Sequence, residues 1–246
     1  MSKISGSQAL LEGLWNEGVR VVFGLPGGAI MPVYDALLDS EIRHILARHE
    51  QSAAHMADGY ARASGRPGVC IATSGPGATN LVTGIATAFA DSSPIIAITG
   101  QVATPTIGKD SFQECDIVGI VTPVTKYAFQ PMQPQEIPLV VKKAFKIAST
   151  GRPGPVLIDI PRDVQINVAD MNVPKKVDIR GYNPHITPHP VQIKKAADLL
   201  LNSDKPIIWS GGGVIISNAA TLLREVAEFL MAPVVTSLIG KGGFPE

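Results

Sequence analysis

The sequence is poor in aromatics and in charge: Phe, Trp and Tyr make up 5% of its 246 residues, and Asp, Glu, Lys and Arg 17%. With 45% apolar residues, that excludes a disordered chain and leaves a core-rich globular one, large enough for one big domain or two modest ones. The charges cancel, 21 Lys and Arg against 21 Asp and Glu, so there is no basic face for nucleic acid and no polybasic patch for a membrane. Near-zero charge on so apolar a chain also suits one that buries surface against other chains. Cysteine is scarce. Cys70 sits in an apolar, strand-like run and Cys115 in a polar, loop-like one, which gives neither a disulfide framework nor a metal-ligand pair. No apolar run approaches the roughly 18 residues of a membrane span. The N-terminal stretch MSKISGSQALLEGL lacks the apolar centre of a signal peptide. The expectation is a soluble, cytoplasmic chain that binds neither nucleic acid nor membrane.

What is present is alternation. Ser5 followed by Gln8 predicts a capping box, and Leu10, Leu11, Leu14 and Trp15 then mark one face of a helix that stops at Gly18. VRVVFG, IRHILA, GVCIAT, PIIAITG and GPVLIDIP read as strands. IMPVYDALLDS, Glu50 to Ser64, LVTGIATAFADS and Gln135 to Ser149 read as helices, with a short one near Asp116 to Val121. Continuous apolar strands alternating with helices predict a doubly wound parallel α/β sheet covered on both faces. SGPGATN reads as a turn, and the segment from Gln101 to Gln113 as a polar loop. After Pro161 the periodicity fades, and the stretch up to Pro190 reads as a surface linker. VQIKKAADLLLNSD, KPIIWSGGG, AATLLREVAEFLMA and PVVTSLIGKGGFPE then restart a helix–strand rhythm. Two parallel strands cannot close a core, so this second unit is expected to be cut short or completed by another chain. The division is drawn at residues 1–179 and 180–246.

Three glycine-rich turns follow strands, at Gly24 to Gly28, Gly75 to Gly77 and Gly211 to Gly213. One alone would be an ordinary tight turn. Three in equivalent positions favour a ligand crevice at the carboxyl ends of the strands. They do not name the ligand: Gly75-Pro76-Gly77-Ala78-Thr79-Asn80 lacks the last glycine of a dinucleotide fingerprint, and there is no GK[ST] phosphate loop. Acid–base residues are sparse. His44 and His49 flank a strand end, His185 and His189 lie in the linker, and no Ser-His-Asp or HExxH arrangement or metal-ligand cluster occurs. A hydrolase or a self-contained metalloenzyme is therefore not expected. Glu50, directly after His49, opens a helix lined by Ala53, Ala54, Ala57 and Ala61. A first-turn acid suits the helix dipole, and small residues let a helix approach another backbone or a flat ligand.

FGLPGGA, RHEQSAAHMADGYARASGRPGV, TSGPGATN, TGQVATPTIGKDSFQE, GRPGPVLIDIPRDVQ and KPIIWSGGG together resemble the thiamine-diphosphate enzymes, and among them the catalytic subunits of the acetolactate (acetohydroxyacid) synthases. The resemblance runs along the whole chain in order. It implies a pyrimidine-binding domain followed by the start of a central, FAD-binding-like domain. The implied reaction is decarboxylation of pyruvate on thiamine diphosphate and ligation of the two-carbon unit to a second 2-ketoacid, a step of branched-chain amino-acid biosynthesis. Glu50 would be the carboxyl group that hydrogen-bonds N1′ of the aminopyrimidine and so activates C2 of the thiazolium. Pro26, Gly27, Gly28 and Ala29 match the turn on the substrate side of the cofactor, Gly28 being counted with the catalytic groups and Ala29 with the substrate contacts. Pro76 and Asn80 match the loop near the pyrimidine. Phe112 and Gln113 match the substrate entrance, Gln113 as the polar catalytic contact, and Arg152 with Gly211, Gly212 and Gly213 match FAD contacts. The Ala-lined helix would pack across a subunit interface in a homodimer or higher oligomer, with a regulatory subunit as a further partner.

Leu25, Ala103 and Ser111 depart from residues common in the family (Tyr, Pro and Ala), which bears on substrate preference more than on the cofactor. The motif that holds Mg²⁺ and the diphosphate has no counterpart here, so its ligands are expected outside this segment, in the rest of a longer chain or in a split subunit. A pyruvate oxidase, a 2-ketoacid decarboxylase or a non-catalytic module is the rival reading, and Gln113 in DSFQE belongs to the synthase pattern.

Overall fold

The computed structural model describes residues 3–174, 176–184 and 187–245. The chain divides into two compact units, residues 1–184 and 185–246.

The first unit runs β1 (Lys3–Ser5), α1 (Gly6–Asn16), β2 (Val21–Gly24), α2 (Met31–Leu37), β3 (Arg43–Leu46), α3 (Glu50–Ser64), β4 (Gly68–Ala72), α4 (Pro76–Asn80) and α5 (Val82–Ala90). It continues through β5 (Ile95–Gln101), α6 (Ile117–Val121), β6 (Tyr127–Phe129), α7 (Ile137–Ser149), β7 (Val156–Pro161), α8 (Arg162–Ile166) and β8 (Val168–Asp170). Among the described residues, six strands form a parallel sheet in the order β3-β2-β4-β5-β7-β6. Successive residues of the central strands point to opposite faces, and both faces are buried. Val69, Ile71, Ile96, Ile98, Val156 and Ile158 pack with α1, α2 and α7; Cys70, Ala72, Ile95, Ala97 and Leu157 pack with α3, α5 and α6. A strand covered on both faces needs no polar alternate, which is why these strands read as unbroken apolar runs.

Local signals set the helix ends. Ser5 Oγ accepts from the Gln8 amide and Gln8 Oε1 accepts from the Ser5 amide, at 3.2 and 2.9 Å, closing the capping box of α1. Its Leu10 and Leu14 are fully buried, each contributing about 1.5–3 kcal/mol. Gly18 (φ +88°) and Gly65 (φ +68°) take left-handed conformations that end α1 and α3.

Four expectations need correction. The Ala-lined face of α3 does not await another subunit. Ala53, Ala54 and Ala57 are 0% exposed and Ala61 2%, inside their own unit. A Cβ on Gly84 of α5 would lie 2.4 Å from Ala54 Cβ, and one on Gly68 of β4 would lie 2.0 Å from Ala57 O. The small residues therefore serve close packing of α3 on α5 and β4. SGPGATN is more than a turn, since Pro76 at the first helical position starts α4. The stretch after β7 is not simply linker: it carries α8 and then β8, which pairs antiparallel with β1 (Lys3↔Asp170). Residues 177–182 are also held to the first unit: Lys146 Nζ of α7 donates to Val177 O at 2.8 Å, and Lys126 Nζ, just before β6, to Tyr182 Oη at 3.2 Å. Finally, β6 adds a strand that has no sequence signal, because three residues are too few to show a period.

The second unit holds α9 (Pro190–Leu201), β9 (Ile208–Ser210), α10 (Gly213–Ile216), α11 (Ala220–Leu230) and β10 (Val234–Thr236), with β9 and β10 parallel. Its apolar core is thin. Ala227 and Ala232 are buried, while Trp209, Phe229 and Met231 are 78%, 76% and 90% exposed. His189 precedes α9, and His185 lies outside the described residues. Among the described residues no helix is long and apolar enough to cross a membrane.

Candidate functional site

The carboxyl ends of β2, β4, β5 and β7 lie side by side, and the loops that leave them carry most of the residues singled out from the sequence. Glu50 is the first residue of α3, placed there by the Arg48-His49 turn after β3; the His49 ring caps the helix by accepting from the Gln51 amide at 3.1 Å. Glu50 is only 8% exposed. One carboxyl oxygen, Oε2, accepts from Asn80 Nδ2 at 2.9 Å; the other, Oε1, takes no hydrogen bond among the described residues. Asn80 closes α4, whose N-cap Gly75 has its backbone at φ +56°, ψ −121°, a conformation open to glycine and hostile to other residues.

Thr73, just past β4, joins the two glycine turns. A Cβ on Gly27 would lie 2.6 Å from Thr73 Cβ, and one on Gly77 2.6 Å from Thr73 Cγ2 and 3.3 Å from Glu50 Oε1. Thr73 Oγ1 accepts from the Ala29 amide at 3.1 Å, and Gln165 Nε2 donates to the Ala29 carbonyl at 2.8 Å, so both polar groups of Ala29 are held. Pro26 and Gly28 remain exposed beside it. Tyr34 packs behind this turn, its hydroxyl donating to Ile71 O at 3.4 Å. Burial, with Cys70 and Glu50 nearby, raises that hydroxyl above the ordinary tyrosine range. Cys70 itself is a core residue whose thiol burial pushes up to about 12, which leaves it unreactive.

Phe112 and Gln113 arrive from the other side. Gln113 sits at φ +58°, and a Cβ on Gly75 would lie 2.7 Å from its carbonyl oxygen, so the two backbones touch. Phe112 is 87% exposed. The loop is pinned from within by Glu114, whose carboxylate accepts the amides of Gly108 and Ser111. Those amides, Gly108 first, hold Glu114 below the ordinary carboxylate range. Asp163 fixes the start of the loop by accepting from the amide and hydroxyl of Thr104.

Glu50, Asn80, Pro76 and the Pro26–Ala29 turn thus converge around Thr73, with Gln113 against the Gly75 end of the same segment. Arg152 stands apart. Its Nε donates to Ser92 Oγ at 2.7 Å and its Nη2 to Ala90 O at 3.0 Å, capping α5. Gly211, Gly212 and Gly213 belong to the second unit, where they lead from β9 into the first residue of α10, and a Cβ on Gly212 would lie 2.6 Å from the Ile239 side chain. Sequence reasoning missed Thr73, Glu114 and Gln165. For Thr73 a signal existed, a threonine closing an apolar strand before a glycine turn. Glu114 acts on amides three and six residues before it in an irregular loop, and Gln165 through a contact 136 residues away, so neither leaves a periodic pattern.

Comparison with known proteins places this geometry in a class. The model described as "Thiamine pyrophosphate enzyme, N-terminal TPP binding domain" matches residues 4–120, and that described as "Thiamine pyrophosphate enzyme, central domain" matches residues 193–246. The chain belongs to the thiamine pyrophosphate enzyme family, and its first unit carries that family's cofactor-binding domain. Within the family it is 58% identical over 246 residues to the "Probable acetolactate synthase large subunit" of Methanocaldococcus jannaschii, covering 99% of this chain and 42% of that protein. It is 50% identical over 248 residues to the "Acetolactate synthase isozyme 3 large subunit" of Escherichia coli K12, covering 100% of this chain and 43% of that protein. To the "Acetolactate synthase" of Mycobacterium bovis it is 50% identical over 247 residues, covering 100% and 40%. The chain spans about two fifths of the length of these curated relatives.

Proposed function

We propose that this chain supplies the pyrimidine-binding half of the active site of an acetolactate synthase, which decarboxylates pyruvate and joins the two-carbon unit to a second 2-ketoacid. The observation that carries the reading is the buried Glu50 carboxyl, one oxygen engaged by Asn80 and the other free beside Gly77. That free, shielded oxygen, 3.3 Å from where a Cβ on Gly77 would lie, is the group that would hydrogen-bond a ring nitrogen of the cofactor. The identity to large subunits along the whole chain supports the choice of reaction within the class.

Thiamine diphosphate, when bound, would supply the carbon nucleophile and the electron sink that 2-ketoacid decarboxylation and ligation need. Glu50 Oε1 holds and returns a proton at the ring nitrogen, as a general acid–base must from within hydrogen-bond reach. Asn80 keeps the carboxyl in place, and the Pro26–Ala29 turn with Pro76 shapes the wall around it. Gln113 contacts the acceptor ketoacid at the entrance, with Phe112 beside it. Mg²⁺ would be held with the diphosphate by residues outside this segment. For FAD, the candidate contacts are Arg152 in the first unit, its Nε and Nη2 already engaged by α5, and Gly211, Gly212 and Gly213 in the second. The working form is a homodimer or higher oligomer, and the "large subunit" names of the relatives support a small regulatory subunit as partner.

The test is Glu50→Gln in the natural polypeptide that carries this sequence, assayed with pyruvate, thiamine diphosphate, Mg²⁺ and FAD. The amide keeps the Asn80 bond through its oxygen yet cannot deliver the proton, and turnover falls about 10²–10⁴-fold. Wild-type exchange of the cofactor C2 proton in this variant would refute the role. Acetaldehyde or acetate in place of acetolactate from the unaltered enzyme would move the chain to the decarboxylases or oxidases of the same class.

A further inference from the structure

Asp159 is a carboxylate with no solvent contact, on β7, between β6 at the sheet edge and β5, the strand that feeds the 102–116 loop. Its Oδ1 accepts from Thr99 Oγ1 at 2.7 Å, and its Oδ2 accepts from Gln101 Nε2 at 3.0 Å and Gln130 Nε2 at 2.8 Å. β5 and β7, with Gln130 just after β6, thus send polar side chains to one point near their carboxyl ends. Gln101 is saturated there. Its second amide hydrogen goes to Cys115 O at 2.8 Å, and its Oε1 accepts from the Val102 amide at 2.9 Å. Val102 and Cys115 are the two ends of the loop that presents Phe112 and Gln113. One glutamine side chain therefore clasps both ends of the loop, and Asp159 fixes that glutamine. Gln101 is 2% exposed, Thr99 and Asp159 0%, so water does not replace the Thr99 and Gln101 bonds to Asp159.

From this chain of contacts we infer that Asp159, through Gln101, is a positioning residue for Gln113: it sets the loop against Gly75 and thereby the entrance for the acceptor ketoacid. The inference rests on the reading of Gln113 given above. No charge is needed for it. An asparagine at 159 could accept both glutamine donors with its oxygen and donate to Thr99 Oγ1, whose hydroxyl turns to accept. An alanine strands two buried amide donors and releases the clasp.

The experiment compares Asp159→Ala, Asp159→Asn and Gln101→Met in the natural polypeptide, by hydrogen exchange of the loop amides and by steady-state kinetics with pyruvate. Asp159→Ala and Gln101→Met are expected to speed exchange at 108–116 and to raise KM about tenfold, the size of one lost buried hydrogen bond, with the smaller change in kcat. Asp159→Asn should keep both near the wild-type value. Unchanged loop exchange in a folded Asp159→Ala protein, its β4 and β5 amides still protected, would overturn the inference whatever the enzyme makes. Equal loosening in Asp159→Asn would overturn it as well. If Asp159→Ala does not fold, Gln101→Met decides by the same two readouts. If the loop responds as expected but the unaltered protein makes no acetolactate, the positioning role stands and the proposed reaction fails.

Discussion

Asn80 Nδ2 donates to Glu50 Oε2 at 2.9 Å across thirty residues of sequence, so the last residue of α4 holds the first residue of α3. The bond leaves Glu50 one free oxygen and fixes which one it is. Asn80→Ala removes the hold without unseating the helix, because Glu50 keeps its favourable place at the N-terminus of α3. Thiamine diphosphate binding, measured by titration calorimetry on the natural polypeptide, should weaken about tenfold, as expected for one charge-assisted hydrogen bond. Thermal stability should change little. Undiminished affinity would mean that the carboxyl needs no such support.

Thr73 is the tight point between the two glycine turns, and the two turns should respond to it differently. A Cβ added at Gly77 would lie 2.6 Å from Thr73 Cγ2 but 3.6 Å from Thr73 Cβ, whereas one added at Gly27 would lie 2.6 Å from both atoms. Gly77→Ala should therefore cost about 1–3 kcal/mol of stability through overpacking, and adding Thr73→Ser, which deletes Cγ2, should restore most of it. Gly27→Ala should not be rescued by the same change. Urea unfolding of the two single and two double variants gives the answer; rescue of both glycine changes, or of neither, would contradict the packing argument.

The sheet was legible because both its faces are apolar: Val69 to Ala72 and Ile95 to Ile98 send alternate residues to different helix layers, and each layer demands hydrophobes. Glu50 was legible as the acid that opens a helix with a clear start at His49 and a clear stop at Gly65. The alanines after it are close-packing residues, as their size implies, but their neighbour is not the one expected, since sequence shows that a helix lies close to something without showing what. Gly84 and Gly68 supply that something from the same chain. Thr73, Gln101, Asp159 and Gln165 lie on or beside apolar strands with no periodic signature, and their roles depend on distant partners, such as Cys115, 14 residues from Gln101, and Ala29, 136 residues from Gln165. β1 and β8 pair across nearly the whole first unit, and at three residues each they show no period of their own.

Gln113 holds a left-handed backbone, φ +58°, which costs a non-glycine residue about 1–2 kcal/mol. Gln113→Gly should relieve that strain and leave the fold at least as stable. Gln113→Val, β-branched at the same dihedral, should destabilise it by about 1–2 kcal/mol. Both should impair use of the acceptor ketoacid, because neither carries the amide. The separation of the two effects, stability by thermal unfolding and turnover with pyruvate, is the check. A glycine variant with full turnover would show that the side chain does no work and that only the backbone bend matters.

Asp159 gives the fold a pH dependence of unusual sign for a carboxylate. Burial raises its pKa to about 6, against the pull of the Thr99, Gln130 and Gln101 hydrogen bonds, with a smaller upward push from Asp116. In the unfolded chain the group titrates near its ordinary 3.8. Between those values the folded state binds the proton more tightly than the unfolded one, so stability falls as pH rises through the window, and the full cost is present above it. Two pH units correspond to about 3 kcal/mol. Asp159→Asn carries no charge to bury and keeps the hydrogen bonds, so its stability relative to wild type should rise by about that amount between pH 4 and pH 7. Urea unfolding of both proteins at the two pH values measures the difference. Parallel behaviour of the two would show that the carboxyl carries no burial cost at neutral pH, and that the three donors around it hold the charged form as well as water does.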